Sequence, residues 1–131
     1  MNSRTIGALI ELNEGLDFGN PKFSNTRSDL LTYGVIPKDT GISEIYTASF
    51  STGATAHITR LKEPNLVAVL AYIGDDSGII FSSRDTNATR GSLVVQPLQS
   101  DGVTPMGNAQ LWLSDAVFGA VYRRGQYTAT N

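Results

Sequence analysis

The sequence predicts an all-β domain, a β-sandwich or jelly roll of about seven to nine short antiparallel strands. Three observations carry that expectation. Runs rich in Val, Ile, Thr, Tyr and Phe recur at a spacing of roughly ten residues, separated by clusters of Gly, Pro, Asn, Asp and Ser. Within most runs apolar and polar residues alternate, the two-residue period of a half-buried strand. The composition agrees, with 13 glycines and 17% charged residues in 131, against an average charged share of about 25%. A chain of this length suits one domain, 1–131, with a core of its own.

The elements follow in order. "TIGALIEL" (5–12) sets Ile6, Ala8, Ile10 and Leu12 on one face of a strand and Thr5, Gly7, Leu9 and Glu11 on the other. "NEGLDFGNPKFSN" (13–25) contains Gly15, Gly19 and Pro21 and reads as loop, with a short extended piece at Leu16–Phe18. Residues 1–25 therefore read as an extended arm plus loop. "TRSDLLTYG" (26–34) has two readings. One is a short helix capped by Thr26, with Asp29 three residues on and Gly34 as its stop. The other is a loop that packs Leu30, Leu31 and Tyr33 onto the core.

"EIYTASF" (44–50) and "ATAHITRL" (54–61) read as a hairpin around Ser51-Thr52-Gly53, with Gly53 left-handed. "LVAVLAYI" (66–73) is apolar on both faces. Its Val and Ile content favours a strand, either central or clamped between a sheet and another element. "GDDS" then turns the chain into "GIIFSS", with Asp and Ser as side-chain acceptors and Gly78 expected at positive φ. "DTNATRG" (85–91) is loop. "SLVVQPL" (92–98) is a strand that Pro97 ends or marks as an edge. "SDGVTPMGN" (100–108) is a long turn and "AQLWLS" (109–114) an alternating strand. "SDAVFGAVYRRG" (114–125) reads as helix or strand, with Gly119 and the β-branched residues favouring strand, and "QYTAT" as a last short strand. The expected core is Ile6, Ile10, Phe50, Val67, Val69, Leu70, Ile80, Val94, Leu111 and Val121. Val69→Ala would then cost about 1–3 kcal/mol.

Composition narrows the function classes. Net charge is −2 and the ten Lys and Arg are scattered, so no strong nucleic-acid binding is expected. With no cysteine, disulfides and thiolate metal sites are excluded. The N-terminal "MNSRTIGALIEL" lacks the marks of a signal peptide. No run reaches the ~18 apolar residues of a membrane helix.

No constellation assigns catalytic, cofactor-binding or metal-ligating residues. His57 is the one histidine, flanked on its strand face by Thr55 and Thr59, and is expected to face solvent or a shallow groove. An enzyme would need His57 in a pocket with an acid. Asp75-Asp76, with Asp85 and Asp101 in other loops, offers hard oxygens, but the hairpin turn is the simpler role. Glu11, Glu14, Asp17, Glu44 and Glu63 show no paired spacing. Asn87-Ala88-Thr89 is a glycosylation triplet. Trp112, Tyr122, Tyr127 and Tyr46 could form a sugar-stacking surface, although a core claims most aromatic residues.

Two fragments carry a resemblance. "GLDFGN" (15–20) resembles the Phe-Gly segment near the start of chaperone–usher fimbrial subunits, and "RRGQYTAT" (123–130) resembles their Gly-x-Tyr entry into the last strand. The resemblance implies an incomplete sandwich whose groove takes another subunit's strand. The chain departs from that family in lacking a cysteine pair and a signal peptide, and in having only four residues after Tyr127.

These features together point to a non-enzymatic structural subunit of a larger assembly, foremost a phage or virus particle component (capsid, decoration or tail protein). A fimbrial subunit and a carbohydrate-binding or adhesion module are the alternatives. The expected partners are other protein subunits, with a glycan as an added option and no membrane. The expected location is a virion or an extracellular assembly.

Overall fold

The structure is a computed structural model and describes residues 16–38, 43–59, 65–85 and 87–116. These residues form eight strands: β1 (Leu16–Phe23), β2 (Leu30–Pro37), β3 (Glu44–Ser49), β4 (Thr55–His57), β5 (Asn65–Tyr72), β6 (Gly78–Asp85), β7 (Gly91–Pro97) and β8 (Gln110–Ala116). They make two antiparallel four-stranded meanders, β1-β2-β3-β4 and β5-β6-β7-β8. The sheets face each other with β5 against β1, β2 and β3. The fold is all-β, as the sequence predicts, and the layers form a β-sandwich.

The core fills the space between the sheets. Leu30 and Ile45 from the first sheet meet Tyr72, Ile79 and Phe81 from the second, with Ile58, Leu98 and Val103 closing the ends. On the opposite face of the first sheet Leu31, Tyr33, Val35 and Ala48 form a second buried cluster. Ile80 is buried as expected, and Val67 and Val94 are half-buried against the core. Ile6, Ile10, Val121 and the side chains of Val69 and Leu70 lie outside the described residues, as do the strands expected at 5–12 and 126–130. Of 114–125, Ser114–Ala116 belong to β8 and the rest lies outside them.

Both local hairpins form. β3 and β4 pair with Tyr46 opposite His57 and Ala48 opposite Thr55. Gly53 closes the turn at φ +71°, a conformation that costs glycine little. β4 stops at His57, well short of the 54–61 run. β5 and β6 pair around the acidic turn. There the left-handed residue is Asp76, at φ +61°, and not Gly78. Asp tolerates this region when its carboxylate is hydrogen-bonded nearby. Gly78 serves close approach instead, since a Cβ there would lie 2.8 Å from the Gln96 carbonyl oxygen.

Four further expectations need correction. Residues 13–25 are not simply loop, because Leu16–Phe23 is β1. Pro21 is tolerated there because, among the described strands, β1 ends its sheet and the register slips between Gly19 and Lys22, a bulge that needs no ladder donor from proline. Residues 26–34 are neither helix nor loop throughout, because Leu30–Pro37 is β2. Leu30 points into the inter-sheet core while Leu31, Tyr33 and Val35 share the other face, so pairing between β1 and β3 outweighs the weak capping signal. Phe50 is 47% exposed, since it sits in the β3–β4 turn and stacks on Phe23 with centroids 6.3 Å apart. Leu111 is 65% exposed, on β8, which among the described strands stands at the far end of its sheet from β5.

Candidate functional site

A concavity among the described residues lies where the first sheet ends at β4. It is an open groove of about 780 Å³, walled by Thr55 and Ile58 and floored by Phe81, Val94 and Gln96, with Asn108 on the far side. The β6–β7 register explains the floor. Phe81 pairs with Val94 and Ile79 with Gln96, so all four share the inner face of the second sheet.

His57 borders this groove, but its ring lies on the outer face of the first sheet, with Tyr46 and Tyr33. Strand pairing sets its ring on Tyr46, with centroids 4.5 Å apart and planes within 5°. Tyr46 stacks in turn on Tyr33 at 5.8 Å. His57 Nε2 approaches Glu44 Oε2 to 2.8 Å. The contact has ion-pair distance without hydrogen-bond alignment, because Nε2 is buried with no hydrogen-bond partner. The fold thus brings together a histidine and an acid that the sequence keeps 13 residues apart. Such a pair can pass a proton or clamp β3 to β4. The ring stacking and half-burial suit the clamp.

The other acids lie at the turn end of the sandwich. Asp76 is 6% exposed, and its carboxylate binds the Ser24-Asn25-Thr26 segment. Ser24 Oγ donates to it at 2.5 Å, the Asn25 N–H at 3.1 Å and the Thr26 N–H at 3.2 Å, and the Thr26 hydroxyl also donates. Burial pushes the Asp76 pKa up, but these donors together outweigh it and hold the group below its usual value. Asp29 accepts from Arg27 Nε and Nη2 at 3.1 and 3.0 Å and from the hydroxyls of Ser49 and Ser51. The Arg27 hydrogen bonds come first in lowering its pKa to about 2. Asp101 caps its own turn through the Val103 and Thr104 N–H groups. Asp75 accepts from the Ser77 N–H and Asp85 from the Asn87 N–H. These acids close turns, as the sequence reading of "GDDS" expects. Asn87 and Thr89 are exposed in the β6–β7 loop.

Glu11, Glu14, Glu63, Tyr122, Tyr127 and the side chain of Asp17 lie outside the described residues. Trp112 does not join Tyr46. It lies on β8, 60% exposed between Leu111 and Leu113, themselves 65% and 55% exposed. This apolar strip escapes a periodicity argument because alternation implies a buried face, whereas the described side chains of β8 from Gln110 to Asp115 are all exposed. Comparison with protein-family models, curated proteins and solved structures returned no match.

Proposed function

We propose that this chain is a non-enzymatic structural subunit of a larger protein assembly, with a phage or virus particle (capsid, decoration or tail) as the leading setting. One observation carries the reading: three consecutive large apolar residues, Leu111, Trp112 and Leu113, stand more than half exposed on one strand. Isolated exposed apolar residues are ordinary, but contiguous ones mark contact surfaces. The exposed Phe23–Phe50 stack and Met106 add to it. The low charged fraction and the absence of a basic arm suit contacts with protein in preference to packaged nucleic acid.

The groove beside β4 favours a second reading, a fimbrial subunit whose groove receives another subunit's strand. Light scattering behind size-exclusion chromatography, with negative-stain images of the largest fraction, tests both. Shells, rings or tail-like tubes support the particle reading, and thin unbranched filaments support the fimbrial one. A monomer at every concentration, with no binding to any host particle, contradicts both.

A further inference from the structure

Gln96 is a polar side chain held almost wholly out of water. Register sets it opposite Ile79, on the inner face of the second sheet, and it is 3% exposed. The loop after β7 folds back on that strand, with Leu98 bridged to Pro105 and the Met106 N–H donating to Pro97 O at 2.8 Å. This return brings the Gly107 carbonyl to Gln96. Gln96 Nε2 donates to Pro97 O at 2.9 Å and to Gly107 O at 3.2 Å. Two carbonyls fix which end of the carboxamide is which, because exchanging the ends would set oxygen against oxygen. Oε1 therefore points the other way. It accepts from no donor among the described residues, yet the buried unpartnered atoms there are His57 Nε2 and the Tyr72 hydroxyl, and Oε1 is not one of them. It opens into the groove beside β4, which Gln96 lines.

The segment after β4 supplies a matching donor. Thr59 lines the same groove and is 5% exposed. Its Oγ1 accepts the Ile45 N–H at 2.9 Å, which leaves the hydroxyl proton without an acceptor among the described residues. Asn108 adds an exposed carboxamide at the rim. Ala56, Val94 and Ala109 give short apolar walls between them. The described lining holds no Asp, Glu, Lys or Arg, and the His57 ring lies on the outer face of the first sheet.

An occupant must meet an open acceptor and an open donor without bringing a charge. A carboxylate or phosphate would face Gln96 Oε1 unpaired, and an ammonium would find no counter-ion. A hydroxyl serves both, since it donates and accepts at one atom. Short apolar walls suit the C–H faces of a sugar ring. The volume of about 780 Å³ falls within the roughly 300–1,000 Å³ of small-ligand sites, and an open groove takes a chain of rings. We propose that the groove binds a neutral oligosaccharide, with Gln96 Oε1 accepting from one ring hydroxyl and the Thr59 hydroxyl donating to another sugar oxygen. The site does not depend on the assembly reading, since one chain supplies these groups.

Two-dimensional amide NMR of the full chain tests this. The probes are maltotetraose, cellotetraose, mannotetraose and chitotetraose, with tetragalacturonate as the charged control. At least one neutral tetrasaccharide should shift the side-chain NH₂ signals of Gln96 and Asn108 saturably, with a Kd below about 1 mM. Tetragalacturonate should leave them in place. Ala109→Leu, at an exposed position, should fill the groove and abolish the shifts while the thermal midpoint is kept. Asn108→Ala should weaken binding roughly fivefold, the effect of one lost hydrogen bond. Unmoved signals with all the neutral probes at about 10 mM overturn the proposal, as do shifts that survive Ala109→Leu. A synthetic peptide of residues 5–12, TIGALIEL, is the competing occupant. Shifts of the same signals by this peptide and by none of the sugars would assign the groove to a polypeptide strand and overturn the glycan.

Discussion

Asp76 does three jobs at one position. It takes the left-handed corner of the β5–β6 turn, fills a nearly buried site, and gathers donors from a segment some fifty residues earlier. Asp76→Asn keeps the size and the tolerance of positive φ but loses the charge and one acceptor. It should destabilise the fold by roughly 1.5–3 kcal/mol, the range for hydrogen bonds to a charged group, as read by urea unfolding. The depressed pKa values of Asp76, Asp29 and Asp101 set an acid dependence. A carboxylate with a lowered folded-state pKa contributes stability that is fully present above its unfolded value of 3.8. That contribution falls away as pH drops toward the Asp29 value of about 2. The urea midpoint should therefore be flat from about pH 5 upward in this respect and decline below about pH 4, and Asp76→Asn should make the decline shallower. Tyr72 gives the opposite sign. Its ring is 1% exposed and its hydroxyl is buried with no hydrogen-bond partner. Tyr72→Phe should be neutral or stabilising, measured as an unchanged or higher midpoint. The sequence marks "GDDS" as a turn but hides its partner, because nothing local ties Asp76 to Ser24 and Thr26. The donor-rich "SNT" triplet is the signal that was available.

Strand order separates what pattern reading can see from what it cannot. The β3–β4 and β5–β6 hairpins were legible because turn and strands lie together in the chain. β1 and β2 were not. Pro21 and two glycines look like loop until β1 is known to end its sheet among the described strands, and "SDLLTYG" looks like a capped helix until both faces of β2 are seen to be packed. β8 was legible as a strand but not in its exposure. Its alternation matches that of a buried strand, yet on β8, at the end of its sheet among the described strands, Leu111 and Leu113 stand uncovered. A pair of substitutions contrasts the two situations. Ile79→Ala on β6 removes a side chain with 0% exposure and should cost about 2–5 kcal/mol. Leu113→Ser on β8 should change the stability of the separated subunit by less than about 0.5 kcal/mol. Thermal melts of dilute protein check both. A large loss from Leu113→Ser in the monomer would show that β8 is packed within its own chain.

The whole molecule is a sandwich with an uneven rim. Its turn end is locked by Asp29, Asp76 and Asp101, and its β4–β8 flank presents a groove and an apolar strand side by side. The His57–Glu44 contact sits at the β4 edge, on the outer face of the first sheet. The fold class was readable from composition and period alone, whereas the exposure of β8 depends on the order of strands. The measurement that bears most directly on the assembly role is light scattering across a hundredfold range of concentration, for the full chain and for Trp112→Glu in parallel. The native chain should show a mass of at least twice 14.0 kDa that rises with concentration, and the variant should remain near the single-chain mass. A native chain that scatters as a monomer throughout and binds no host particle would contradict the assembly role.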